Sequence, residues 1–138
     1  MKICVFCSAN EQIDAEFFTL TAELGKWAAE SGHSIVYGGV NQGLMECVAK
    51  AAKTAGGRTI GVVPTKVEET GRTSDYVEIE IPCDNLTDRK QLMMDQSDVF
   101  IALLDDLQAK GMIRGNWRDY IKTANSIEQI DEIIGTIY

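Results

Sequence analysis

The chain has 138 residues, of which 45% are hydrophobic and 25% charged, so it is long enough for one domain with a real core and too short for two. Its 13 basic and 21 acidic side chains give a net charge of −8, which disfavours binding to a nucleic-acid backbone. No apolar run approaches the roughly 20 residues that a membrane-spanning helix needs, and the short apolar start does not resemble a signal peptide. We therefore expect a cytoplasmic protein with no nucleic-acid or membrane partner.

The first two thirds of the chain alternate short apolar runs, which predict strands, with helical apolar spacing, which predicts helices. Asn10 is expected to cap the first helix, Gly32 to end it, and Asp84 or Asn85 to cap the third. This alternation indicates an α/β fold with a Rossmann-like parallel sheet flanked by helices on both faces, and ligands bind such sheets beyond the carboxyl ends of the strands. In chain order, the pattern predicts a strand at 2–6, a helix at 12–31, a strand at 34–37, a helix at 43–55, a strand at 59–63, a polar loop at 65–75, a strand at 76–81 and a helix at 84–95.

The last third of the chain is harder to interpret. Residues 97–103 (SerAspValPheIleAlaLeu) predict a fifth strand, yet residues 100–111 also have the spacing of an amphipathic helix. The region 97–111 is therefore ambiguous, because one stretch cannot be both. Beyond it, residues 119–123 predict a last strand. Residues 126–134 predict a closing helix that starts with a capping box of Ser126 and Gln129.

Four cysteines raise the questions of redox chemistry and zinc binding, because two of them form a CxxC. A redox CxxC opens a helix, whereas this one lies at the end of a predicted strand. Zinc needs two further ligands, but His33 is the only histidine and there is no second CxxC. We expect structural cysteines and no metal site. The cysteines are Cys4, Cys7, Cys47 and Cys83.

A glycine-rich turn connects the second strand to the second helix, in the sequence TyrGlyGlyValAsnGlnGlyLeuMetGlu (37–46). Glycines permit positive φ and close approach of a ligand, and a helix start attracts anions. The spacing fits neither a dinucleotide fingerprint nor a P-loop. From the residues alone, the turn indicates a phosphate site, or a tight turn with no ligand.

Two polar side chains near the expected ligand-binding edge of the sheet each allow two interpretations. Arg89 could clamp a phosphate or be a solvated charge on its helix. Ser8 could bind a phosphate or ribose, or cap a turn.

Taken together, these fragments resemble the Lonely Guy family, the cytokinin riboside 5′-monophosphate phosphoribohydrolases, also described as possible lysine decarboxylases. The resemblance covers roughly residues 1–103 in family order and spacing, and the tail 104–138 resembles the family's last helix, strand and helix. Lysine decarboxylation needs a Schiff-base lysine for pyridoxal phosphate, and no lysine here has such a setting. The matching motifs are CysValPheCysSer (4–8), the turn at 37–45, GlyValValPro (61–64), ArgLys-x2-Met (89–93) and the segment 97–103.

The chain departs from the family pattern after Leu103. The family motif PGGxGTxxE should follow there, but Leu104-Asp105-Asp106 follows instead. We interpret 1–138 as a single nucleotide-binding domain with an internal deletion near 103–104. Two lesser departures are Val40 and Glu46, which stand where the family often has glycine.

The resemblance implies hydrolysis of the N-glycosidic bond of AMP or a cytokinin riboside monophosphate, giving free base and ribose 5-phosphate. The family's carboxylate for the oxocarbenium-like transition state lies in the absent motif, so we expect impaired hydrolysis, with a non-catalytic nucleotide-binding module as the alternative. The resemblance also implies a homodimer without a cofactor. It assigns a catalytic role to Arg89, and substrate-binding roles to Ser8, Gly38, Gly39, Gly43, Leu44, Met45, Glu68 and Lys90.

Overall fold

The fold is built on a five-stranded parallel sheet. The structure, a computed structural model, describes residues 1–103 and 126–137. The chain divides into two compact units, Met1–Leu103 and Leu104–Tyr138, and the sheet lies in the first. The described elements are β1 (Lys2–Phe6), α1 (Ala15–Glu30), β2 (Ser34–Tyr37), α2 (Gly43–Thr54), β3 (Arg58–Pro64), α3 (Thr65–Glu69), β4 (Ile79–Cys83), α4 (Leu86–Asp95), β5 (Val99–Ala102) and α5 (Ile127–Ile137).

The strand order is β4-β3-β2-β1-β5, and every pairing is parallel. Strands β1 to β4 are added in one direction, and β5 then pairs on the other side of β1, where Ile3 lies between Ile35 and Val99. The direction of winding therefore reverses at β1, and such a reversal leaves a crevice beyond the carboxyl ends of the strands. The predicted Rossmann-like α/β fold is confirmed.

Both faces of the central strands are buried, which explains why nearly all buried positions of β1 to β3 are apolar. On one face, Cys4, Val36 and Val62 form a cluster with Met93 of α4. Helix α4 contacts β3 and β4, whereas helices α1 and α2 contact β2 and pack against each other. At their contact a Cβ on Gly25 would lie 2.6 Å from the Val48 carbonyl oxygen, so glycine permits the close approach.

The first helix is shorter than predicted, because it begins at Ala15 rather than at residue 12. The prediction that Asn10 caps it is wrong. Asn10 instead closes a local turn, in which its Oδ1 accepts a hydrogen bond from the Gln12 amide at 2.9 Å. The predicted end is confirmed, because Gly32 follows the helix with φ of +77°.

The region after β3 differs from the prediction in two ways. The predicted loop 65–75 contains the one-turn helix α3, which the sequence pattern missed because Val67 is its only apolar residue. The fourth strand runs from Ile79 to Cys83 instead of 76–81. It includes Pro82, which is tolerated because β4 is an edge strand.

The later elements largely follow the sequence. Asn85, one of the two predicted caps, accepts hydrogen bonds from the Thr87 and Asp88 amides at 2.9 Å each and so starts α4 at Leu86. Residues 99–102 form β5. The predicted helical continuation beyond Leu103 and the strand at 119–123 lie outside the described residues.

Helix α5 runs three residues beyond the predicted end at 134. Ser126 Oγ accepts a hydrogen bond from the Gln129 amide at 3.2 Å, as a capping serine does. Among the helices in the described ranges, none has both the length and the apolarity needed to cross a bilayer.

Candidate functional site

The glycine-rich turn at 38–43 leaves β2 at the carboxyl edge of the sheet. Gly39 and Gly43 have φ of +72° and +62°, a conformation that side chains rarely adopt. Gly43 also packs directly on the chain that leaves β1, since a Cβ there would lie 2.8 Å from the Ala9 carbonyl oxygen. Two glycines are therefore required by backbone geometry alone, without any ligand.

The start of α2 already has a hydrogen-bond acceptor from the protein. The carbonyl oxygen of Ser8 accepts hydrogen bonds from the Leu44 and Met45 amides at 2.9 and 3.4 Å. Unpaired amides in the first turn are what make a helix start an anion site. Because two of these amides are occupied, this helix start is a poorer phosphate site than the sequence pattern indicated.

Arg89 supplies a cation beside the turn. From α4 its Nη2 donates a hydrogen bond to the carbonyl oxygen of Gly38 and lies 3.7 Å from the Met45 sulfur. Its Nε is buried and has no hydrogen-bond partner, and burial lowers the pKa of the guanidinium. A half-buried arginine with an unused donor is well suited to bind a phosphate or carboxylate oxygen.

The structure brings most of the predicted site residues to one place. Ser8 contacts the turn through its carbonyl, while its Oγ accepts a hydrogen bond from the Asn10 amide at 2.9 Å. Leu44 is buried beneath the turn and packs in the core. Glu68 on α3 and Lys90 on α4 are exposed, and within residues 1–103 no hydrogen bond or ion pair joins either of them to the turn.

Residues 72–74, inside the predicted polar loop 65–75, form hydrogen bonds with the glycine-rich turn. Thr73 forms an antiparallel bridge with Val40. The Asn41 amide donates to the Arg72 carbonyl at 2.9 Å, and the Ser74 amide donates to the Gly39 carbonyl at 2.8 Å. No local sequence signal reveals these contacts, because they join two irregular segments.

A cavity of about 720 Å³ lies next to this segment, between α3 and the first turn of α4. Its size is that of a small-molecule site. Arg72 belongs to its wall and also donates a hydrogen bond to Gln42 Oε1 at 2.9 Å, which links the cavity to the start of α2. Other lining residues include Pro64, Val67, Leu86 and Asp88.

The thiols near the turn are poorly suited to nucleophilic or redox chemistry. Burial raises the pKa of Cys4 to about 11. Burial, with smaller contributions from Cys47 and Cys4, raises that of Cys7 to about 12, although Arg89 opposes the change. A reactive cysteine needs the opposite shift. All four cysteines are free thiols, and the residues described contain no group of side chains arranged to hold a metal.

A family model and curated relatives agree on the family. The sequence model of the SLOG cluster4 family matches residues 1–107. A cytokinin riboside 5′-monophosphate phosphoribohydrolase of Mycobacterium tuberculosis is 33% identical over 85% of this chain and 62% of its own length. The enzyme of the same name (LOG) from Oryza sativa subsp. japonica is 34% identical over 74% of this chain and 42% of its own. The chain thus spans about half the length of these curated relatives.

Solved structures show the same fold. The molybdenum cofactor binding protein of Rippkaea orientalis is 28% identical with a TM-score of 0.83, and the match covers 99% of this chain and 96% of that one. The Moco carrier protein of Chlamydomonas reinhardtii is 29% identical with a TM-score of 0.66, over 80% of this chain and 65% of that one. With the family match over residues 1–107, these likenesses establish that the chain belongs to the SLOG cluster4 family, within the Lonely Guy group.

Proposed function

We propose that this chain binds a nucleoside 5′-monophosphate, AMP or a cytokinin riboside monophosphate, at the turn 38–45. The observation that carries the proposal is the contact between Arg89 and the Gly38 carbonyl, which joins two motifs 51 residues apart at the ligand edge of the sheet. In this arrangement the guanidinium binds the 5′-phosphate.

The reaction named for the curated relatives is proposed here in an impaired form. Water adds its oxygen to C1′ of the ribose, the N-glycosidic bond breaks, and the base leaves with a proton, giving ribose 5-phosphate. Positive charge develops on the ribose in the transition state, so a nearby carboxylate is needed. The motif PGGxGTxxE that supplies it in the family is absent after Leu103, and Asp105 and Asp106 lie outside the described residues.

The second candidate function is binding without cleavage. One observation favours it: the R. orientalis protein, named for binding the molybdenum cofactor, matches this chain over nearly the whole length of both. In this case the site would carry a phosphorylated ligand as cargo. Retention of the molybdenum cofactor, with no measurable affinity for AMP, would select this candidate.

Calorimetric titration with AMP tests the main proposal. We expect Arg89→Ala to weaken AMP binding at least tenfold, because it removes charge-assisted hydrogen bonds. Arg58→Ala is the matched control, since Arg58 is an exposed arginine at the opposite end of β3. Failure of the wild type to bind AMP, or equal affinities of Arg89→Ala and wild type, would reject the proposal.

Chromatographic assay of adenine release tests the impairment separately, with the M. tuberculosis relative as the positive control. We expect AMP binding with adenine release at least a hundredfold below that relative. Comparable release would contradict the impairment.

The proposed internal deletion is tested by the intact mass of the protein from its natural source, which should be 15.2 kDa if the gap belongs to the protein.

A further inference from the structure

Two buried polar groups, one on each side of the glycine-rich turn, have no hydrogen-bond partner among the residues that the structure describes. Glu46 lies in the first turn of the helix, and its Oε2 is buried without a donor. The Tyr37 side chain is fully buried, and its hydroxyl has no hydrogen-bond partner. Ser74 nevertheless lies close enough to lower the pKa of that hydroxyl. Burial raises the pKa of Tyr37, and the charge of Glu46 raises it further.

Leaving such groups unpaired is costly, which indicates that something else completes them. A buried acceptor without a donor loses the hydrogen bonds that it had in water, and a charged one loses more. No hydrogen bond joins Tyr37 to this carboxylate, so neither group satisfies the other. Glu46 is only partly buried as a residue, and of its two carboxylate oxygens only Oε2 is buried without a partner. The other oxygen, Oε1, is therefore the one that an outside donor can reach.

The chemistry of the missing donor excludes phosphate. A phosphate oxygen only accepts hydrogen bonds at neutral pH, and its charge would repel the carboxylate of Glu46. The Ser8 carbonyl moreover occupies the Leu44 and Met45 amides that would otherwise attract an anion. A ligand group that meets Glu46 therefore has to donate, as a hydroxyl or an amine does.

The position of Glu46 favours ribose over the base. Arg89, the proposed phosphate ligand, touches Met45, which is the residue before Glu46. In a 5′-nucleotide the ribose is attached directly to the phosphate, whereas the amino group of adenine lies at the far end of the base. Carboxylates near glycine-rich βα turns bind ribose hydroxyls in other nucleotide folds.

We propose, resting on the nucleotide site proposed above, that the Glu46 carboxylate accepts a hydrogen bond from a ribose hydroxyl of the bound nucleotide. Glu46 would then make the site selective for ribonucleotides. Arg89 holds the phosphate, and Glu46 recognises the sugar.

Titration of AMP, 2′-deoxy-AMP and 3′-deoxy-AMP into the full chain tests this inference. We expect the wild type to bind AMP about tenfold more tightly than at least one of the deoxy analogues. Glu46→Gln should weaken AMP binding about tenfold and abolish the preference. Glu23→Gln, at an exposed carboxylate of α1, is the matched control and should change neither.

The outcomes separate this inference from the proposal on which it rests. Equal binding of AMP and both deoxy analogues by the wild type would overturn the role of Glu46, even if Arg89→Ala still weakens binding. This comparison needs no variant, so it holds even if Glu46→Gln does not fold. If IMP, which lacks the amino group, binds worse than AMP and this loss disappears in Glu46→Gln, the carboxylate reads the base instead. No AMP binding at all would overturn both proposals.

Discussion

The guanidinium of Arg89 occupies the space that a side chain on residue 38 would need. A Cβ built on Gly38 would lie 2.7 Å from the Arg89 Cζ and 2.9 Å from the Met45 Cε, and closer still to Nη2. Gly38 does not have a positive φ, so its backbone conformation is open to any residue. Glycine at this position is therefore explained by the arginine and not by the turn.

The first prediction is that Gly38→Ala weakens AMP binding about as much as Arg89→Ala does. The added methyl displaces the end of a flexible side chain, so the fold should survive with a small change in Tm. Gly135→Ala is the control, because a Cβ there meets nothing within 4 Å, and AMP affinity should stay at the wild-type value. Calorimetry and thermal melts measure both effects, and wild-type affinity in Gly38→Ala would contradict the prediction.

The second prediction concerns the buried hydroxyl that anchors the segment before β4. Thr59 Oγ1 donates to the Tyr76 carbonyl and accepts from the Glu78 amide at 3.1 Å. Thr59→Val keeps the shape and removes both bonds, so we expect a loss of about 1–3 kcal/mol in urea unfolding. Thr54→Val, at an exposed helical position, should cost less than about 0.5 kcal/mol. Equal costs at the two positions would mean that the buried hydroxyl contributes little.

The third prediction is slow labelling of the thiols near the turn. At pH 8 a thiol with a pKa of about 12, as for Cys7, is ionised about a thousandfold less than one with the ordinary value of 9.0. Labelling of Cys4 and Cys7 by a disulfide reagent should therefore be slow in the native protein and fast in urea, as read by mass spectrometry. Native labelling of Cys7 at the unfolded rate would contradict the burial described here.

The raised pKa values of Cys4 and Cys7 also predict how the stability of the fold depends on pH. The folded state keeps these thiols neutral above the pH at which the unfolded state ionises them. Their contribution is thus complete below about pH 9 and is lost as the pH rises toward 11 to 12. The urea midpoint should fall between pH 8 and pH 10.5. A midpoint that is constant or rises over this range would be inconsistent with the raised pKa values.

The fourth prediction is the homodimer that the resemblance implies. Met94 on α4 and Phe100 on β5 are 50% and 47% exposed, which leaves apolar surface for a partner to cover. Sedimentation velocity should give twice 15.2 kDa. Met94→Glu should shift the equilibrium toward monomer. Thr19→Glu, which adds the same charge at an exposed position of α1, should not. A monomeric wild type at 100 µM would refute the dimer.

The sequence predicted the sheet well because its signals are local. Short apolar runs define β1 to β3, glycines 38 and 39 directly follow β2, and the asparagine at 85 marks the start of α4. The predicted fourth strand begins three residues early, because the alternation of polar and apolar side chains extends upstream of Ile79. The observed strand includes the proline at 82, which is compatible with a strand only at an edge of the sheet. Edge position depends on the order of strands, which no local pattern contains.

The site was harder to predict for the same reason. The sequence indicated the glycine turn and Arg89, but the cap that Ser8 provides depends on β1 and β2 being neighbours. The support from residues 72–74 likewise joins two irregular segments. Glu46 stood out as a departure from the family pattern, but the burial of its unpartnered Oε2 is visible only in the structure.

The carbonyl of Ser8 has a consequence for how the site can adapt. It joins the end of β1 to the start of α2, so these two segments cannot separate without breaking both hydrogen bonds. Ligand preference in this scaffold is thus set by exchanging side chains around a fixed backbone. Glu46 and Arg72 are the positions at which a designer would begin to redirect it toward another phosphorylated molecule.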